Sequence, residues 1–123
     1  MTKSDRFFTV FAHLKTILTP LSSSLVVKID VTENYSLNTP FNPQFGKELF
    51  FAAVQIKKND VSFHLMPIYI YPELLNNLSV PLKKRIQGKS CFNFTSIDEP
   101  LFVELEDLVK RSIDLGNHLH NQV

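Results

Sequence analysis

The sequence predicts an α+β fold: a two-layer sandwich in which a mainly antiparallel sheet carries N- and C-terminal helices on one face. Three observations lead there. Phe7, Phe11, Leu14, Leu18 and Leu21 recur at alternating intervals of four and three, lining one face of a helix. Two β-rich runs in "ELFFAAVQIKKNDVSFHLMPIYIY" flank Lys58-Asn59-Asp60, a composition suited to a tight hairpin turn. Near the other end, Leu101, Leu105, Leu108 and Ser112 with Phe102, Val109 and Ile113 form a second apolar stripe.

The first helix is expected over residues 5–19, with Ser4 or Asp5 as N-cap and Pro20 where the helix should end. "LVVKIDVTENYSLNT" then reads as one or two strands about a Glu33-Asn34 turn, because its β-branched residues alternate with Lys28 and Asp30. "PFNPQFGK" is a loop, punctuated by two prolines and a glycine. The hairpin pairs Leu49–Lys57 with Val61–Tyr69. Pro72 opens a helical turn through Leu75, and Ser79 with Pro81 starts a small helix that Gly88 ends as a left-handed C′ residue. A strand follows in "KSCFNF". Asp98-Glu99-Pro100 caps the last helix, Gly116 ends it, and "NHLHNQV" is a polar tail expected to fray.

Bulk composition narrows the function classes. A chain of 123 residues fits one domain, residues 1–123. A formal charge of +1 supplies no field for nucleic-acid phosphates or an anionic membrane. With 44% hydrophobic residues, 11 Phe and no Trp, the chain is expected to build an aromatic-rich core. One Cys excludes an internal disulfide and a Cys-cluster metal site and suits a reducing cytosol. Asp5, Arg6, His13 and Lys15 interrupt the apolar N-terminus, and no run reaches the ~20 apolar residues of a membrane span. A cytoplasmic protein is expected.

Strand alternation sorts side chains onto two faces. Phe50, Ala52, Val54 and Ile56 alternate with Phe51, Ala53, Gln55 and Lys57; Val61, Phe63 and Leu65 with Ser62, His64 and Met66; Phe92 and Phe94 with Lys89, Cys91 and Asn93. If the apolar sides share the helix-covered core, Gln55, Lys57, Ser62, His64, Lys89, Cys91 and Asn93 converge on the other face. Were "PELLNNLSVPLKKRIQG" to fold over part of that face, it would make a cleft with Tyr69, Tyr71, Lys84 and Arg85 at its rim. The plainer reading is a polar face that meets water.

Other motifs carry less. Gly88-Lys89-Ser90 lacks the upstream glycine of a phosphate loop and leads into a strand where that loop needs a helix. Glu106 with Lys110 and Asp107 with Arg111 are i,i+4 pairs of an exposed helix face, which leaves Glu104, Glu106 and Asp107 a weak cation site. His118 and His120 cannot share a helix face. Lys83-Lys84-Arg85 is too short for a nucleic-acid stripe.

From Phe50 to about Ile113 the chain resembles the YdhG-like family of small bacterial domains of unknown function. The resemblance lies in "LFFAAVQIKKNDVSFHLMP", a strand, Lys-rich turn and strand ending in Met-Pro; in "GKSCFNF"; and in "DEPLFVELEDLVKR". It implies an α+β fold and matches Lys57, His64 and Lys89. The family includes a frataxin-like protein regarded as an iron chaperone for cluster and haem assembly. That role relies on an acidic first helix, whereas here Asp5 stands beside Lys3, Arg6 and Lys15.

The expected function is a non-enzymatic binding module for a small anionic ligand or a protein partner, a second copy of the chain included. Lys57, Lys89 and Arg85 would supply charge, Gln55 and Asn93 orienting hydrogen bonds, and Tyr69 and Tyr71 apolar walls. The alternatives are frataxin-like iron binding with His64, Glu104 and Asp107, and an enzyme using Cys91 or His64.

Overall fold

A computed structural model describes residues 3–40 and 46–121 and shows an α+β architecture. Helix α1 (Lys3–Leu18) runs into a 3-10 turn at Thr19–Ser23, because Pro20 cannot donate the next helical hydrogen bond. Strands β1 (Val26–Val31) and β2 (Asn34–Asn38) pair antiparallel, with Val31 opposite Asn34. The turn is therefore Thr32-Glu33, one residue before the expected Glu33-Asn34. Most of the loop expected at "PFNPQFGK" lies outside the described residues.

Strands β3 (Phe50–Ile56) and β4 (Val61–Leu65) form the expected hairpin, closed by the Lys57 amide donating to the Asp60 carbonyl at 2.8 Å. β4 stops short of Tyr69. Pro67 cannot donate to a sheet ladder but suits the first turn of a helix, so Met66–Ile70 forms the short helix α2 despite its β-favouring residues. A 3-10 turn, Pro72–Leu75, and helix α3 (Val80–Lys83) follow.

The helix expected to reach Gly88 ends at Lys83. Ile86–Gln87 is instead a strand, β5, paired antiparallel with β6 (Cys91–Phe94). Gly88, at φ +72°, belongs to the turn between them rather than to a helix C-terminus. Asp98 caps helix α4 (Glu99–Asn121), its Oδ1 accepting from the Leu101 amide at 3.3 Å. α4 continues through Gly116 into the tail expected to fray. The side chains of His118 and His120 lie outside the described residues.

The sheet order is β1-β2-β3-β4-β6-β5, with every pairing antiparallel. Leu37, Ala52, Val54, Phe63, Leu65, Phe92 and Phe94 share one core with Phe7, Val10, Leu14 and Leu18 of α1 and Leu101, Leu105 and Leu108 of α4. The Phe94 ring meets the Phe102 ring edge-on at 5.0 Å, joining β6 to α4. His13 links the helices, 5.2 Å from the Phe102 ring and 3.4 Å from Glu99.

In the middle of the sheet simple alternation fails between β2 and β3. The register between β2 and β3 shifts between Leu37 and Asn38, a β-bulge that brings Phe51 into the core cluster beside Ala52. Phe50, expected in the core, instead packs its ring on His64.

Candidate functional site

β3, β4 and β6 lie side by side, and residues directly opposite share a face. Gln55, Ser62 and Asn93 form one row across the three strands, and Ala53, His64 and Cys91 form the next. Ser36 continues the second row on β2, opposite Ala53. None of these residues belongs to the core cluster, so the sheet has a polar side opposite its apolar one.

A depression of about 350 Å³ opens on this side, lined by Lys57, Asp60, Ser62, Gln87, Gly88, Cys91 and Asn93. The β3–β4 turn supplies Lys57 and Asp60. The β5–β6 hairpin supplies Gln87, Gly88, Cys91 and Asn93. Two hydrogen bonds brace that wall: Asn93 Nδ2 donates to Gln87 Oε1 at 2.6 Å and the Asn93 amide to the Arg85 carbonyl at 2.9 Å. The Asn93 carboxamide oxygen and the Lys57 ammonium complement these walls as acceptor and cation.

His64 sits one row away. Its Nε2 lies 2.6 Å from Ser90 Oγ, and the Phe50 ring stands at 68° to the imidazole with centroids 4.9 Å apart. Burial pushes its pKa below the ordinary histidine value, and the nearby Lys57 charge pushes the same way. The neutral imidazole is favoured. With Nε2 unprotonated, the serine hydroxyl donates.

The expected single cleft is two neighbouring depressions that share Gly88. The second, about 210 Å³ and mainly apolar, is lined by Ile68, Tyr69, Pro72, Leu75, Ile86, Gly88 and Lys89. There the Lys89 ammonium stands 5.5 Å from the centroid of the Tyr69 ring, a cation–π contact. Of the expected residues, Lys57, Cys91 and Asn93 line the first depression and Tyr69 and Lys89 the second. Gln55 shares a row with Ser62 and Asn93, Tyr71 packs half-buried against the core, and Lys84 and Arg85 are exposed.

The middle of the segment expected to cover the polar face packs toward α4, while its Pro72, Leu75, Ile86, Gln87 and Gly88 line the two depressions. Leu74, Leu78 and Leu82 enter the core, and Glu104 of α4 clamps the start of α3. Its Oε2 accepts from the Ser79 amide at 2.7 Å and its Oε1 from the Ser79 hydroxyl at 2.6 Å. Ser79 Oγ in turn accepts from the Leu82 amide as an N-cap.

That clamp bears on the metal reading. Glu104 is held by Ser79, and Asp107 by Arg111 at 3.0 Å; Glu106 meets Lys110 at 3.4 Å, as the helical spacing predicts. Among the described residues no group of three or more His, Cys, Asp or Glu side chains stands ready to hold a metal ion.

Sequence reasoning missed Asp60, Gln87 and Gly88 as lining residues and Ser90 as the partner of His64. Gln87 becomes legible only once β5 is recognised as a strand. Nothing in the Gly-Lys-Ser triplet points to His64, 26 residues away. Compared with protein-family models, curated proteins and solved structures, the chain matches none.

Proposed function

We propose that this chain is a non-enzymatic, cytosolic binding module of YdhG-like type, and that its polar sheet side takes a small anionic ligand. The observation that carries this reading is the depression in which Lys57 stands with the hydroxyl of Ser62 and the amides of Gln87 and Asn93. The Lys57 cation beside these hydrogen-bonding groups suits a carboxylate or phosphate ester. Asp60 on the same wall favours a ligand that also carries a hydrogen-bond donor. Two features support the cytosolic part: the lone Cys91, and no helix among the described residues long and apolar enough to cross a membrane.

The test is thermal unfolding against phosphorylated metabolites, nucleotides, carboxylates and divalent metals including Fe(II). A ligand at a hundred times its dissociation constant stabilises the fold by about 2.7 kcal/mol, a shift of roughly 10 °C at this size. The reading expects a shift with an anion that Lys57→Ala abolishes and Lys89→Ala leaves. A shift with Fe(II) alone favours the frataxin-like alternative. No shift across the panel turns the search to a protein partner on the same face.

A second reading rests on Ser90 and His64. A hydroxyl within hydrogen-bond reach of a neutral imidazole is the smallest arrangement from which nucleophilic attack is possible. Covalent labelling of Ser90 by a fluorophosphonate would favour an enzyme, and an unlabelled protein would leave the pair as a brace between strands.

A further inference from the structure

Strand β1 ends the sheet on one side, and its residues from Val27 to Val31 are all exposed. Three are apolar: Val27 at 41% exposure, Ile29 at 40% and Val31 at 60%. Such an edge offers backbone N–H and C=O groups to another strand. Its chemistry reads alike in both directions, since Val27-Lys28-Ile29-Asp30-Val31 places opposite charges symmetrically about Ile29.

We propose that a second copy of this chain pairs with β1, antiparallel, with Ile29 facing Ile29 across a two-fold axis. The two sheets then join into one. In this register Lys28, the bulged residue of β1 that has no partner on β2, comes opposite Asp30 of the other copy. Residues opposite one another must share a face, so the neighbouring registers are displaced by two residues. One sets Lys28 against Lys28 and the other Asp30 against Asp30, both like-charge contacts. Charge therefore selects the Ile29-centred register.

The existing ion pairs extend this complementarity. Asp30 already meets Lys15 at 2.9 Å, and Lys28 meets Glu48 at 3.0 Å. Pairing the two edges joins them into an alternating row: Lys15 and Asp30 of one copy, then Lys28 and Glu48 of the second. Ile29 and Val31 lie opposite Ser36 and Asn34. They share the polar side of the sheet, where the two Ile29 side chains meet. The bulge between Val27 and Ile29 ends the regular ladder, so the interface is short and the dimer weak.

Sedimentation equilibrium up to 500 μM tests the association, and cysteine cross-linking in a Cys91→Ser background tests the register. Residues facing across the axis have Cα atoms about 4.5–5.5 Å apart, within disulfide reach, so Ile29→Cys should give a covalent dimer on mild oxidation. Val31→Cys should not, because its two copies lie about 13 Å apart along the strands. Ile29→Lys, an exposed change that sets two cations together, should raise the dimer dissociation constant at least tenfold while leaving the melting midpoint of dilute protein unchanged. A single monomeric species at 500 μM overturns the proposal. So does a dimer that Ile29→Lys leaves intact or in which Ile29→Cys fails to cross-link.

Discussion

Ser90 and His64 are joined across the β4–β6 pair by a 2.6 Å contact between Oγ and Nε2, on the polar side of the sheet, while the Leu65 amide next door donates to the Ser90 carbonyl at 2.8 Å. Ser90 thus fixes the turn after β5 to β4 by side chain and backbone together. Removing the hydroxyl by Ser90→Ala leaves a half-buried imidazole nitrogen without its partner and should cost about 1–2 kcal/mol. Urea unfolding, read as a lower midpoint at unchanged slope, measures it.

The depressed pKa of His64 gives stability a pH dependence of definite sign. The unfolded chain, titrating near 6.5, binds a proton more readily than the folded one. The contribution is therefore fully present above pH 6.5 and is lost as pH falls from there through the folded pKa. Urea midpoints from pH 8 to pH 5 should fall at the acid end, and less steeply in His64→Gln. NMR titration should show the His64 pKa remaining low in Ser90→Ala, because burial is its leading cause, and rising in Lys57→Ala as the neighbouring charge is removed.

Glu104 holds α3 to α4 through both oxygens of one carboxylate. Glu104→Ala leaves the Ser79 amide and hydroxyl without their acceptor and should cost about 2 kcal/mol. Ser79→Ala, which also removes the cap of α3, should cost about as much. The double variant should fall well short of the sum, because both changes break the same clamp.

At Gly88 the φ of +72° disfavours any side chain, yet an added Cβ would meet nothing within 4 Å. Gly88→Ala should therefore cost about 1 kcal/mol from backbone conformation alone, and Gly88→Asn less.

Much of this was legible in the residues. The stripes of α1 and α4 and the polar rows on β3, β4 and β6 follow from periodicity, which survives wherever one face is buried. Periodicity was silent where a single residue or a distant strand decides. Pro67 turns "MPIYI" into a helix against its β propensity. The bulge exchanging Phe50 and Phe51 depends on the register with β2. At two residues, β5 is too short for any pattern, so Gly88 reads as a helix stop when it is a hairpin turn. The site inherits these gaps: Lys57, Cys91 and Asn93 were found by alternation, whereas Gln87 and the Ser90–His64 contact needed the β5–β6 hairpin.

The most direct test of the proposed function is the amide NMR spectrum recorded while the anion giving the largest thermal shift is titrated in. Binding at the depression predicts saturable shifts concentrated at Lys57, Asp60, Ser62, Gln87, Gly88, Cys91 and Asn93, absent in Lys57→Ala. Shifts clustered on another surface, or none at millimolar anion, would contradict it.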